Sequence, residues 1–127
     1  MAIKFKVIEK GQPGVAGGGV KKYYASAQTT GDMTLPKLTA SIEKVSTVSG
    51  ADIRAVLYAM VDVMKSALAD GQIVRLGDLG SLRISIASNG EETPEKVSAK
   101  SVKSARTVFS PGVELKNQLK MLKYEKA

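Results

Sequence analysis

The period of the apolar positions switches between two and 3.6 along this chain, and each switch marks an element. Residues 3–9 set Ile3, Phe5 and Val7 against Lys4 and Lys6, which predicts a strand with one wet face. The glycine-rich stretch from Gly11 to Gly19 is too long for a tight hairpin and predicts a mobile loop, after which residues 21–28 predict a second strand. Thr34 caps a first helix, with Pro36 in its first turn and Leu35, Leu38, Ile42 and Val45 at helical spacing. Ser49 starts a second helix, with Asp52 three residues on in the usual Glu place of a capping box. Its apolar stripe runs Ile53, Val56, Leu57, Met60, Val61, Met64, Leu68, about five turns at 3.6 residues per turn. Gly71 ends it as the left-handed C-terminal residue.

Beyond Gly71 the period returns to two. Strands over 72–76 and 79–87 flank a turn at Gly77-Asp78, residues 88–100 carry turn chemistry with no apolar period, and a returning strand covers 101–109. Ser110-Pro111 opens a last helix with Pro at its first position and Leu115, Leu119 and Leu122 along one face. Residues 123–127 are placed as a short strand pairing with the N-terminal segment. The expected class is α+β, with no internal repeat.

Composition narrows what this fold does. With 127 residues, 43% of them hydrophobic, the chain builds one small core, and at 5% aromatics that core rests on Leu, Ile, Val, Met and Ala. Burial against a second copy is therefore expected. The absence of Cys and His removes disulfides, thiolate nucleophiles, imidazole bases and the usual zinc and haem ligands. Asp62, Asp70 and Asp78 are dispersed and build no acid–base pair, so no enzyme, cofactor, metal or small-molecule substrate is expected. The stretch Gly14-Val15-Ala16-Gly17-Gly18-Gly19-Val20 has Val where a phosphate-binding Walker loop needs Lys. The N-terminal residues lack the continuous apolar run of a signal peptide or membrane span, which leads to an expected cytoplasmic location.

Nineteen Lys and Arg against twelve acids give a formal charge of +7, which favours polyanionic partners. The excess lies in the flanks: residues 1–33 carry five bases and two acids, 34–87 six and five, and 88–127 eight and five. Lys96, Lys100, Lys103 and Arg106 follow one another with no intervening acid, and they read as a phosphate-contacting edge or as strand lysines that block edge-to-edge pairing. Arg75 and Arg83 alternate with apolar neighbours, which puts them on the wet face of the sheet. Lys21 and Lys22 beside Tyr23 and Tyr24 read first as strand packing of one Tyr and second as stacking on bases.

Three segments carry a family resemblance. Ala69-Asp70-Gly71-Gln72-Ile73-Val74-Arg75-Leu76 is similar to the passage from helix into first strand of the bacterial histone-like HU and integration host factor family. Leu79-Gly80-Ser81-Leu82-Arg83-Ile84 resembles that family's Phe-Gly-x-Phe-x-Val signature with Leu in both aromatic places. Val108-Phe109-Ser110-Pro111-Gly112-Val113-Glu114-Leu115-Lys116 resembles its Phe-x-Pro-Gly-x-x-Leu-Lys ending. The resemblance covers about residues 34–122, and the extended chain is most similar to HU-related proteins of Bacteroides-type bacteria. It implies a β extension over 1–33 and an HU-like domain over 34–127 that forms an intertwined homodimer. Two β arms would lie in the DNA minor groove, with a proline wedged at a base step and basic residues on phosphates. Carried onto this chain, the contacts are Arg75, Arg83, Lys96, Lys100, Lys103 and Arg106, with Pro94 near the place of the wedge. The implied partner is double-stranded DNA with little sequence readout, the implied location the nucleoid.

The chain departs from the family at two places. Where the arm tip reads Gly-Arg-Asn-Pro-x-Thr-Gly, it has Asn89-Gly90-Glu91-Glu92-Thr93-Pro94-Glu95, and Val113 stands for a phosphate-binding Lys. Three carboxylates at the tip oppose a duplex that carries about one charge per 1.7 Å of axis. A second reading is therefore an HU-fold structural or interaction module without DNA binding. A helix-turn-helix over 35–46 and 50–69 is a weaker third, because the second helix exposes Asp52, Asp62 and Lys65 instead of groove-reading Arg, Asn or Gln.

Overall fold

The computed structural model describes residues 1–12 and 14–127. In chain order it has β1 (Ile3–Lys10), β2 (Lys22–Gln28), α1 (Leu35–Val45), α2 (Gly50–Ala69), β3 (Val74–Arg75), β4 (Gly80–Ser88), β5 (Val102–Pro111), α3 (Val113–Lys120) and β6 (Tyr124–Lys126). The strands form two three-stranded sheets, ordered β2-β1-β6 and β3-β4-β5.

Both long helices start at the caps the sequence predicts. Thr34 Oγ1 accepts from Lys37 N at 3.5 Å, and Ser49 Oγ accepts from Asp52 N at 3.3 Å, so each satisfies one orphan donor of the first turn. Helix α2 ends in a Schellman motif: Gly71, at φ +82°, donates to Leu68 O at 3.0 Å, and Gln72 N donates to Ala67 O at 3.0 Å. Only a residue at ease in the left-handed region turns the chain there, and it delivers Val74 to the sheet.

The strand after α2 is shorter than expected, two residues instead of 72–76. Leu76 N already donates to Gly80 O and Leu79 N to Leu76 O, so the chain turns at Gly77 (φ +61°) before the ladder lengthens. Strands β4 and β5 then run antiparallel from Gly80↔Pro111 to Ser88↔Val102, with an irregularity between Ala87 and Ser88 that leaves Lys103 outside the pairing.

The start of α3 corrects the sequence reading. Pro111 ends β5 opposite Gly80, and Gly112 is the N-cap, its carbonyl accepting from Lys116 N at 2.9 Å. Gly112 N donates to Leu79 O at 3.0 Å, which holds residue 112 to the sheet and delays the helix to Val113. Pro, lacking a donor, suits the last rung of an edge strand. At its other end α3 stops at Lys120, with Met121 as the C-cap, so Leu122 lies beyond the helix.

The backbones cross closely at this corner. A Cβ on Gly80, which sits at φ +145°, would meet Ser110 O and approach the Phe109 ring at 2.9 Å; one on Gly112 would meet the Asp78 carbonyl. Gly80→Ala is expected to cost about 1–3 kcal/mol through overpacking and backbone strain. A fall in the denaturant midpoint at unchanged slope measures it, and an unshifted midpoint contradicts the close crossing.

The N-terminal segment is tied to the far end of the chain, as the sequence predicts. β6 pairs parallel with β1 through Ile3↔Tyr124, Lys4↔Glu125 and Phe5↔Lys126, and Ala127 N donates to Phe5 O at 2.9 Å. β2 pairs antiparallel on the other side of β1, and the glycine-rich connection contains a 3-10 turn at Ala16–Gly18 with Gln12 N donating to Gly18 O.

Very little of the chain is fully covered. Ile53 is the one buried hydrophobic residue among those described, and the α2 stripe divides: Leu57, Met64 and Leu68 are half-buried while Val56, Met60 and Val61 stand exposed, as does Val63 outside the stripe. The accessible surface is 10,429 Å², whereas a compact monomer of 13.4 kDa exposes about 6,500 Å². An extended ribbon accounts for part of that excess, and the exposed flank of α2 for another.

Candidate nucleic-acid interface

Cross-strand pairing collects three of the residues singled out from sequence. Arg75 pairs with Ser81, and Ser81 with Ser110; Arg83 pairs with Val108, and Ser85 with Arg106. Directly paired residues share a face, as do residues two apart on one strand. Arg75, Arg83 and Arg106 therefore lie in a diagonal file on one face of β3-β4-β5, neighbours spaced about 7–8 Å. All three are exposed, and among the described residues none pairs with a carboxylate. The opposite face carries Val74, Leu82, Ile84, Ile86, Thr107 and Phe109, so one side of the ribbon is cationic and the other apolar.

The remaining predicted contacts lie toward the ribbon's far end and do not behave alike. Lys103 sits at the register irregularity, and Lys100 lies in a 3-10 turn, Ala99–Ser101, both exposed. Lys96 lies in another such turn, Pro94–Lys96, and is paired with Glu92 at 3.6 Å. Pro94 is the first residue of that turn and is exposed.

Sequence reasoning gave residues 88–100 turn chemistry without a centre. The structure supplies one in Ser101, which is only 3% exposed. Its Oγ donates to Glu91 Oε1 at 3.0 Å and accepts from Ser98 N at 3.1 Å, and its carbonyl accepts from Asn89 N at 2.7 Å. Ser98 Oγ accepts from Lys100 N at 3.3 Å, closing a capping box over the turn. Two of the three tip carboxylates are thus engaged locally, Glu91 by Ser101 and Glu92 by Lys96, leaving Glu95 among the three without such a bond. The signal that could have found this centre is the Ser98-x-x-Ser101 spacing, which matches a short capping box. Ser101→Ala strips Ser98 N and Glu91 of a partner at a cost of about 1–3 kcal/mol. Amide exchange should quicken over 89–101 and nowhere else; unchanged protection there contradicts the assignment.

Among the described residues no group of His, Cys, Asp and Glu is placed to hold a metal ion, and no helix is long and apolar enough to cross a membrane.

Known proteins bear on this geometry. The family model HU-HIG, an HU domain fused to a wHTH, Ig or glycine-rich motif, matches residues 1–126. No curated protein matches the chain. A crystal structure from Bacteroides vulgatus ATCC 8482, described as that of a candidate bacterial DNA-binding protein, is similar over 98% of this chain with a TM-score of 0.69 and 14% identity. The chain spans 48% of that protein's length, and likeness at such identity concerns the fold.

Proposed function

Since the chain belongs to the HU-HIG family, we propose that it is a non-enzymatic architectural protein that binds double-stranded DNA with low sequence specificity, as a homodimer, through the β4–β5 arm and its sheet face. The observation that carries this reading is the arginine file Arg75, Arg83, Arg106, unpaired among the described residues, with Lys100 and Lys103 exposed nearer the ribbon's far end. Exposed cations at strand spacing suit a phosphate lattice, whose binding releases counterions and reads little sequence. Lys96 contributes less, because Glu92 competes for it. Pro94 stands at the start of a turn, where its ring is available to a base step.

The homodimer is part of the proposal. Val56, Met60 and Val63 recur at i, i+4 and i+7 along α2 and expose an apolar flank next to the half-buried stripe. A second copy laid there would bury it, and obligate interfaces of roughly 2,000–5,000 Å² are of the size needed. Residues 1–33 act in this reading as an extension of a 34–127 body, fastened to it by the β1–β6 pairing. The protein would work in the bacterial cytoplasm, on the nucleoid.

Fluorescence anisotropy on a labelled duplex tests the DNA reading. Binding at micromolar protein in low salt, weakening steeply toward physiological salt, is expected; no binding in low salt contradicts it. A second reading, an HU-fold interaction module that has lost DNA binding, is favoured by Glu95 at the tip and by Val113 exposed in place of a lysine. A protein partner recovered from nuclease-treated lysate, together with failed anisotropy, decides for it.

A further inference from the structure

Strands β1 and β2 divide their charges by face. In the register Lys4↔Gln28, Lys6↔Ser26, Ile8↔Tyr24, Lys10↔Lys22, one face carries Lys4, Lys6, Lys10 and Lys22 around Tyr24. The other carries Phe5, Val7, Tyr23 and Glu9, the one acid of β1 and β2, with Lys126 of β6 beside Phe5. From β6, Glu125 joins the lysine face and pairs with Lys4 at 3.5 Å. Lys6, Lys10 and Lys22 are exposed and have no carboxylate partner among the described residues.

β6 pairs with β1 only at Ile3–Phe5, so Lys6 and Lys10 have β2 as their single neighbouring strand and, like Lys22, also guard an open edge. One feature separates this face from an ordinary solvated strand surface. Lys10 and Lys22 are directly opposite each other, an arrangement that like charges destabilise. An anion lying across the two strands removes that repulsion, and a row of anions matches a row of lysines.

We propose that the lysine face of the N-terminal sheet, Lys6, Lys10 and Lys22 with Lys4 held in reserve by Glu125, is a second phosphate-backbone surface for duplex DNA, separate from the arm. It rests on the DNA-binding reading and extends it: residues 1–33 lengthen the track of duplex that one protein covers. Tyr24, among the lysines, offers a phenol that donates to a phosphate oxygen.

The test measures anisotropy on a duplex of about 40 base pairs against salt, for the full chain, for Lys6→Gln/Lys10→Gln/Lys22→Gln, and for Arg75→Ala/Arg83→Ala/Arg106→Ala. Each phosphate contact contributes about 0.9 to the slope of log affinity against log salt, so the lysine variant should lose close to 3 from it per chain. Between 50 and 200 mM salt its affinity then falls less than that of the parent by roughly 40-fold for each chain on the duplex. Glu125→Gln, which frees Lys4 and removes no cation, should raise the slope by about 0.9. An unchanged slope in both the lysine and Glu125 variants, with binding lost only in the arginine variant, overturns this inference and leaves the arm reading standing. No duplex binding by the parent chain overturns both. If the lysine variant keeps its duplex slope but loses retention on phosphatidylserine vesicles, the face serves a lipid surface and the inference also fails.

Discussion

Val56→Asp/Val63→Asp is expected to abolish self-association, so that light scattering reports a species of one chain mass, 13.4 kDa, where the parent chain is expected to give twice that. Both side chains are exposed, at 63% and 69%, on one flank of α2 seven residues apart, beside a core in which Ile53 is the sole buried hydrophobic among the described residues. A flank of this kind gains stability only when a partner covers it, and a carboxylate left uncompensated in the covered interface costs several kcal/mol. Because so little is buried within one chain, the variant is expected to lose much of its helical signal together with the dimer. Asp62→Lys supplies the control. It is turned about 100° from Val63 and about 120° from Val56 around α2, off the apolar flank, and should leave mass and helicity unchanged. A Val56→Asp/Val63→Asp protein that still runs at the parent mass removes this flank from the interface.

Arg75→Ala/Arg83→Ala/Arg106→Ala is expected to lower duplex affinity by one to two orders of magnitude near physiological salt and to reduce the salt slope by close to 3 per chain. Three exposed guanidiniums on a single face would act on neighbouring phosphates together in the proposed complex, and none is diverted to a carboxylate among the described residues. Replacing them with Lys should restore most of the slope but not all of the affinity, since Lys keeps the charge and loses the bidentate fork. An alanine variant that binds like the parent chain removes the sheet face from the interface and moves the contact to the tip or to the N-terminal sheet.

Much of this was legible before the fold was seen, for physical reasons that differ by region. Helices α1 and α2 announce themselves through caps and a 3.6 period because both rest on contacts between residues three or four apart. Gly71, and the three signature segments that led to the HU family, sit where backbone geometry or close packing restricts the residue. The face of Arg75 and Arg83 followed from alternation alone; that Arg106 joins them required the β4–β5 register.

Other parts were hidden because their determinants are distant or polar. The lysine face depends on Lys10 lying opposite Lys22, and that register is set across a glycine-rich connection whose closure no local pattern reveals. The cluster at Ser101 is held by hydrogen bonds from Ser98 N and Asn89 N and by one that Ser101 donates to Glu91, so it leaves no apolar period to detect. At α3, Ser110-Pro111 has the composition of a helix start, yet the bond from Gly112 to Leu79 keeps Pro111 in the sheet.

The measurement that bears most directly on the whole account is the mass of the complex formed with a duplex of about 20 base pairs in low salt, by light scattering or native mass spectrometry. Two chains on one duplex, dissociating as salt rises, is the predicted result. One chain per duplex contradicts the paired helical body, and free duplex beside free protein contradicts the phosphate-binding ribbon.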